Sequence, residues 1–177
     1  MNLLYTPRDI AAFLNFSNFT QSDERLVLND IWEDNALIQS EYRKNKALFK
    51  RHVYAELSKY GGGFDIGELK MLSQGTELEF SVENETYEQA VILRNLKTIK
   101  LGLNYTDIYI HQFEIKFRNL LKAFGYKRRS AKLVENIKTT LSALELKTYS
   151  KENLLCDIAN INLDDIIMIR LAFNPHS

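Results

Sequence analysis

Apolar residues recur every three or four positions through much of this 177-residue chain, and few helix-breaking residues interrupt them. Such spacing places the apolar side chains on one face of an α-helix. The chain has only seven Gly and two Pro, while 45% of its residues are apolar, which is enough for a sizeable core. The sequence therefore predicts a predominantly helical α+β fold rather than a strand-rich sandwich.

The N-terminal part, residues 1–75, is predicted to be helical and acidic. Thr6 followed by Pro7 is typical of a helix start, because threonine caps the helix and proline fits its first turn. Either Thr20 or Ser22 can cap the next helix. We expect helices from Pro7 to about Asn15, from Thr20 or Ser22 to Trp32, and from Leu37 to Leu57. Gly61–Gly63 is expected to end the third helix, and a short helical stretch is expected over residues 64–72.

Residues 76–177 are predicted to form an α+β part with a winged-helix-like arrangement; the alternative is that the whole chain forms one compact domain. Residues 77–83 alternate between apolar and polar side chains, which is the period of a half-buried strand. Residues 86–99 fit either a helix or a hairpin partner. We predict the helix, because Thr86 and Gln89 resemble a capping box.

Two further helices and a closing strand complete the predicted C-terminal part. An apolar stripe begins after Thr106 and ends at Gly125, a residue type that commonly stops a helix. Ser130 caps the next helix, whose apolar face continues to Leu144. A short β segment follows, and the run Ile166–Leu171 is predicted to be a strand. The stripe consists of Ile110, Phe113, Phe117, Leu120, Leu121 and Phe124.

The charges are distributed unevenly, although their sum is zero. Residues 1–93 hold nine Lys or Arg and fifteen Asp or Glu, a net charge of −6. Residues 94–138 hold eleven and three, a net charge of +8, and residues 139–177 hold three and five, a net charge of −2. Such asymmetry indicates a surface for a charged partner, unless the acidic and basic parts face each other within the fold.

The positive charge concentrates around Phe124–Ser130, where aromatic and basic residues surround a glycine. A turn, three consecutive cations and a helix N-terminus coincide there, which favours an anion. Lysine and arginine contact phosphates, whereas asparagine and threonine can contact base edges. The predicted nucleic-acid-binding residues are Lys122, Lys127, Arg128, Arg129, Lys132, Asn136 and Thr139, with duplex DNA as the expected ligand.

Residues 107–171 are predicted to form, in order, a helix, a turn, a helix, a short β segment, a loop and a strand. This order is compatible with a winged-helix arrangement. In that arrangement the second helix reads the nucleic acid and the terminal strands form the wing. The turn is longer than a tight helix-turn-helix turn, which spans about three or four residues. The alternative is an amphipathic helical hairpin whose basic turn is simply solvated.

The C-terminal third of the chain contains the segment Leu120-Leu121-x-x-Phe124-Gly125-Tyr126-Lys127-Arg128-Arg129, followed by Val134-x-x-Ile137 and Leu141-x-x-Leu144. This pattern resembles a small helix-turn-helix-like module of bacterial defence and restriction-associated proteins. The resemblance covers residues 118–171, and its motifs are short. It implies a closing strand, here Ile166–Leu171, preceded by acidic residues, here Asp164 and Asp165. It also implies a role in defence against phage or mobile elements, and it transfers no catalytic residue.

Two other functions remain open on the sequence. The chain can be a protein-interaction or adaptor subunit whose acidic N-terminal helices dock a basic partner or a second copy, with Trp32, Tyr42 and Tyr54 as anchors. A small metal-dependent nuclease is a third interpretation, because Glu68-Leu69-Lys70 has the acid-x-lysine form and Glu77 and Glu79 share a strand face. Neither pattern is specific, so we predict a non-enzymatic protein.

The sequence predicts no cofactor and no metal site. Cys156 is the single cysteine, which excludes an internal disulfide and a multi-cysteine zinc site, and we expect it to behave as a small buried apolar residue. The three histidines lack the spacing of zinc ligands. No secretory signal or membrane span is visible, so the expected location is the cytoplasm.

Overall fold

A computed structural model describes residues 1–60, 84–106 and 111–172, with side chains described from residue 87 onward in the second range. Several expected features lie outside these residues: the glycine stop Gly61–Gly63, the helical stretch over 64–72, the strand over 77–83, and the acidic patterns of Glu68, Glu77 and Glu79.

Within the described residues the fold is mostly helical, with six α-helices and one three-stranded antiparallel sheet. The predicted helix-dominated α+β class is confirmed. The helices are α1 (Pro7–Ser17), α2 (Gln21–Glu33), α3 (Lys46–Leu57), α4 (Asn84–Tyr105), α5 (Phe117–Ala123) and α6 (Ala131–Ala143), and the strands are β1 (Phe113–Lys116), β2 (Leu146–Ser150) and β3 (Ile166–Leu171).

Local capping explains where α1 and α2 begin. The Thr6 hydroxyl accepts a hydrogen bond from Asp9 N at 3.1 Å, and the Asp9 carboxylate accepts one from Thr6 N at 3.0 Å. This reciprocal pair is a capping box, and Pro7 occupies the first helical position. Thr20, and not Ser22, caps α2 by accepting from Asp23 N at 3.2 Å.

The expected helix from Leu37 to Leu57 is wrong in its first part. Asn35–Leu37 and Ser40–Tyr42 form short 3₁₀ turns, and α3 begins only at Lys46. The reason is tertiary: Ile38 leaves the helical conformation to form a β-bridge with Tyr5, and both side chains are buried. This burial outweighs the modest local helix propensity.

Helix α4 is the central element, and the ambiguous segment 86–99 is helical, as predicted. The middle of α4 is buried on nearly all sides between Val91 and Gly102. One side of α4 packs on α1 and α2, and another side packs on α6 and β3. Ile92, Leu96 and Ile99 join the core of the C-terminal elements, to which Ala12 and Phe16 of α1 also contribute, whereas Leu101 joins the core of α1–α3.

The predicted helix from Thr106 to Phe124 is wrong over Phe113–Lys116, which is strand β1. Thr106 N donates to Gly102 O at 3.2 Å, so this residue follows directly on the last turn of α4, and the expected start of the next helix lies outside the described residues. Phe113 is buried and Glu114 is exposed, the alternation of a strand, and β1 pairs with β3 from Phe113↔Ile169 to Lys116↔Ile166. Ile110 of the expected stripe lies outside the described residues.

The sheet has the order β1-β3-β2, so the C-terminal strand lies in its centre. The predicted closing strand Ile166–Leu171 is confirmed, and β2 pairs with it from Leu146↔Leu171 to Ser150↔Ile167. Ile167 and Ile169 are buried against α5 and α6. Among the described residues, no helix has the combined length and apolarity needed to cross a membrane.

Candidate nucleic-acid interface

The turn between α5 and α6 has a defined backbone. Gly125 has φ +88°, a conformation that glycine adopts without the steric cost that a Cβ would add. Gly125 N donates to Lys122 O and Tyr126 N donates to Leu121 O, both at 2.9 Å. These two bonds form a Schellman motif, which satisfies the last carbonyls of α5. The predicted helix stop at Gly125 is confirmed.

Polar contacts to Glu88 hold this turn to α4. Tyr126 is half-buried, and burial together with its interaction with the Glu88 carboxylate raises the pKa of its hydroxyl. Asn136 Nδ2 donates to Glu88 Oε1 at 3.0 Å. Glu88 thus joins both the turn and α6 to α4. No local sequence pattern reveals this role, because Glu88 lies 48 positions before Asn136.

The cations of the turn and of its flanking helices face solvent. Lys122 lies in the last turn of α5, Lys127 and Arg128 lie in the turn, and all three are exposed. Arg129 is exposed and its guanidinium donates to Ile161 O at 2.6 Å, so the loop before β3 holds it. The structure therefore gathers these four predicted residues at one end of the α5–α6 pair.

Helix α6 begins next to these cations. Ser130 caps it, as predicted, by accepting from Leu133 N at 3.2 Å. Lys132 and Thr139 are exposed, and Glu135 lies between them on the exposed side. Asn136 differs from the other six predicted residues: it is half-buried, and its amide is engaged with Glu88. In this conformation Asn136 ties α6 to α4 instead of presenting its amide donor to a ligand.

The acidic loop, defined as residues 151–165, connects β2 to β3. It contains one Lys and four Asp or Glu, a net charge of −3. Asp164 accepts two hydrogen bonds from the Arg118 guanidinium, at 2.8 and 2.9 Å, and Asp157 forms an ion pair with Lys138 at 3.1 Å. The lowered pKa of Asp164 follows first from its bond to Arg118.

A groove lies between α6, β2 and the acidic loop, and the Lys138–Asp157 ion pair lies at its lining. Its volume is about 540 Å³, and Leu141, Leu146 and Ile158 contribute apolar surface. Cys156 lines it and is half-buried, so it is less enclosed than we expected; burial raises the pKa of its thiol. Leu154 and Leu155 at the nearby edge are 67% and 68% exposed.

The three aromatic residues considered as docking anchors serve different purposes. Trp32 is half-buried, and its ring centroid lies 5.2 Å from that of Phe49 at a tilt of 39°. Tyr42 is half-buried and forms an edge-to-face contact with His52. Tyr54 is exposed, and burial of part of its ring together with the nearby Glu24 carboxylate raises the pKa of its hydroxyl. Trp32 and Tyr42 therefore contribute to packing between the N-terminal elements.

Within the part of the chain that the structure describes, no three His, Cys, Asp or Glu side chains come close enough together to hold a metal ion. In comparisons with known proteins, no protein-family model, no curated protein and no solved structure matches this chain. A function for the chain therefore has to be inferred from the geometry of the α5–α6 region.

Proposed function

We propose that this chain is a non-enzymatic DNA-binding protein whose residues 84–172 adopt a winged-helix arrangement. Two features of the fold support the proposal. The elements follow the order α4, β1, α5, α6, β2, β3, and the sheet order β1-β3-β2 places β2 and β3 as a terminal antiparallel pair beside the helices. In such an arrangement α6 is the helix that enters the major groove.

One observation favours nucleic acid most strongly: the exposed cations of the α5–α6 turn lie directly before the exposed start of α6, Ala131 and Lys132. Lys122, Lys127 and Arg128 contact phosphates in this proposal, and so does Lys132. Thr139 is the candidate for base contacts. Arg129 orients the turn through Ile161 O, and Asn136 orients α6 through Glu88.

The proposed biological setting comes from the resemblance of residues 118–171 to modules of bacterial defence and restriction-associated proteins. A DNA-binding subunit without catalytic residues would direct or regulate such a system against phage or mobile elements. This setting rests on short sequence motifs, whereas the DNA-binding proposal rests on the geometry of the α5–α6 region.

Replacement of three exposed cations tests the proposal. The turn variant, Lys122→Glu/Lys127→Glu/Arg128→Glu, should lose retardation of duplex DNA, because these three side chains supply the proposed phosphate contacts. The matched control Arg25→Glu/Lys44→Glu/Arg51→Glu changes the charge equally at exposed N-terminal positions and should retain most of the binding. Fluorescence anisotropy on a short duplex, at about 50 and about 200 mM salt, measures both.

Two results would overturn the proposal. The first is no binding by the wild type at low salt, and the second is equal binding by the turn variant and its control. The second candidate function, a protein-interaction subunit, would then take precedence. The exposed Leu154 and Leu155 beside an apolar groove favour that alternative, since exposed apolar patches mark protein contacts.

A further inference from the structure

We infer that Asp157 and Asp164 limit the DNA footprint of this protein to the α5–α6 turn and the start of α6, an inference that rests on the proposed function. In a winged-helix protein, the wing lies close to the nucleic acid when the recognition helix, here α6, enters the groove. Here the corresponding segment is the acidic loop, whose net charge of −3 disfavours contact with phosphates.

The carboxylates of Asp157 and Asp164 pair with cations that would otherwise extend the positive surface of the α5–α6 turn. Asp164 binds both Nε and a terminal nitrogen of Arg118, and the two side chains are 70% and 42% exposed. Asp157 lies 3.1 Å from Lys138 Nζ, and both side chains are 43% exposed. The cations are therefore accessible to a ligand, but each has a carboxylate fixed beside it.

The acidic loop cannot simply swing away when DNA approaches, because its backbone is integrated into the fold. Arg118 N donates to Leu163 O at 2.7 Å and Phe117 N donates to Asp165 O at 3.0 Å. Ile158 is fully buried in the core, and Arg129 holds Ile161 O. The carboxylates thus stay within a Debye length, about 10 Å at 0.1 M salt, of the cations that they neutralise.

The neutral variant Asp157→Asn/Asp164→Asn tests this inference. Asparagine keeps an oxygen that can accept the bond that Ala159 N donates to Asp157 Oδ1, so the loop conformation should persist. Release of Arg118 and Lys138 should tighten binding to a short duplex several-fold. It should also steepen the log–log salt dependence by about 0.9 for each added phosphate contact, or about 1.8 for both.

Two further variants separate local from general charge effects. Glu33→Gln/Glu56→Gln removes the same charge from ion pairs with Lys46 and Lys59 on the N-terminal helices and should leave the salt slope unchanged. Asp157→Glu/Asp164→Glu alters geometry but keeps the charge, and should bind like the wild type. Circular dichroism melting checks that each variant folds, and the single variants replace the double one if it does not.

The outcomes distinguish this inference from the proposed function. Suppose that the wild type binds DNA and the turn variant does not, but that Asp157→Asn/Asp164→Asn behaves like its N-terminal control. The carboxylates then do not limit the footprint, and only this inference fails. If the wild type shows no salt-dependent binding, the proposed function itself fails. A steeper slope with tighter binding in the Asn variant alone is the expected result.

Discussion

Glu88 lies on α4, yet its carboxylate contacts both the basic turn, through Tyr126, and α6, through Asn136. The Glu88 carboxylate therefore holds two side chains, Tyr126 and Asn136, which are both half-buried. A hydrogen bond to a charged acceptor contributes about 1.5–3 kcal/mol to stability, so removal of this carboxylate should weaken the contact of both elements with α4. The orientation of the candidate interface depends on this residue.

Replacement of Glu88 by Ala should lower the free energy of unfolding by about 1–3 kcal/mol, because the Tyr126 hydroxyl and the Asn136 amide lose their shared acceptor. Urea denaturation measures the change. The control Glu135→Ala removes an exposed carboxylate from α6 and should cost no more than about 0.5 kcal/mol. Equal effects of the two substitutions would show that Glu88 does not hold the turn.

At the scale of the elements, α6 depends on its cap. The Ser130 hydroxyl satisfies Leu133 N, one of the backbone donors that a helix start leaves without an intrahelical partner. The helix is short, Ala131–Ala143, and no acidic residue lies in its first turn to complement the helix dipole. Its stability therefore comes from the cap and from the buried face that includes Leu133, Ile137 and Leu141.

The substitution Ser130→Ala should cost about 1 kcal/mol of stability, the usual value for a lost serine cap. Thermal denaturation followed by circular dichroism measures it. Ser142→Ala in the last turn of the same helix is the matched control, because Ser142 is exposed and gives no cap; it should change stability by about 0.5 kcal/mol or less. A cap variant as stable as this control would contradict the assignment.

For the whole molecule, α4 packs on α1 and α2 on one side and on α6 and β3 on another, and Phe16 of α1 adds a contact with Phe113 of β1. An ion pair lies buried at the α1–α4 contact: Lys97 Nζ is 3.0 Å from Asp9 Oδ2 and donates to Leu4 O at 2.8 Å. Lys97 and Asp9 are only 4% and 5% exposed. Asp9 also closes the capping box of α1, so one carboxylate serves both the helix start and the tertiary contact.

Replacement of Lys97 by Met should destabilise the protein by about 3–5 kcal/mol, because it leaves the Asp9 charge buried with a weakened partner set. Urea denaturation provides the measurement. Lys46→Met breaks the exposed pair with Glu33 and should cost about 1 kcal/mol at most, the upper range for surface ion pairs. Should the two methionine variants unfold at the same urea concentration, the buried pair would not connect α1 and α4 energetically.

Much of the fold and of the candidate site could be predicted where the determinants are close in sequence. Thr6 and Ser130 start helices through bonds to residues three positions away, as predicted, whereas the sequence left Thr20 and Ser22 open as the cap of α2. Gly125 ends α5 through its own positive φ. The β-branched run of β3 also revealed its conformation. The exposure of Lys127 and Arg128 could be expected from their charge, because charged side chains are rarely buried.

The sequence by itself therefore determined the helical class, the caps and the position of the basic turn, because each depends on local hydrogen bonds or on the amphipathic period. Only the tertiary structure decided that Phe113–Lys116 is a strand, since its partner β3 is distant in the sequence. The same holds for Ile38 with Tyr5 and for Asn136 with Glu88. Contacts between distant segments leave no period in a single sequence, so packing alone settles them.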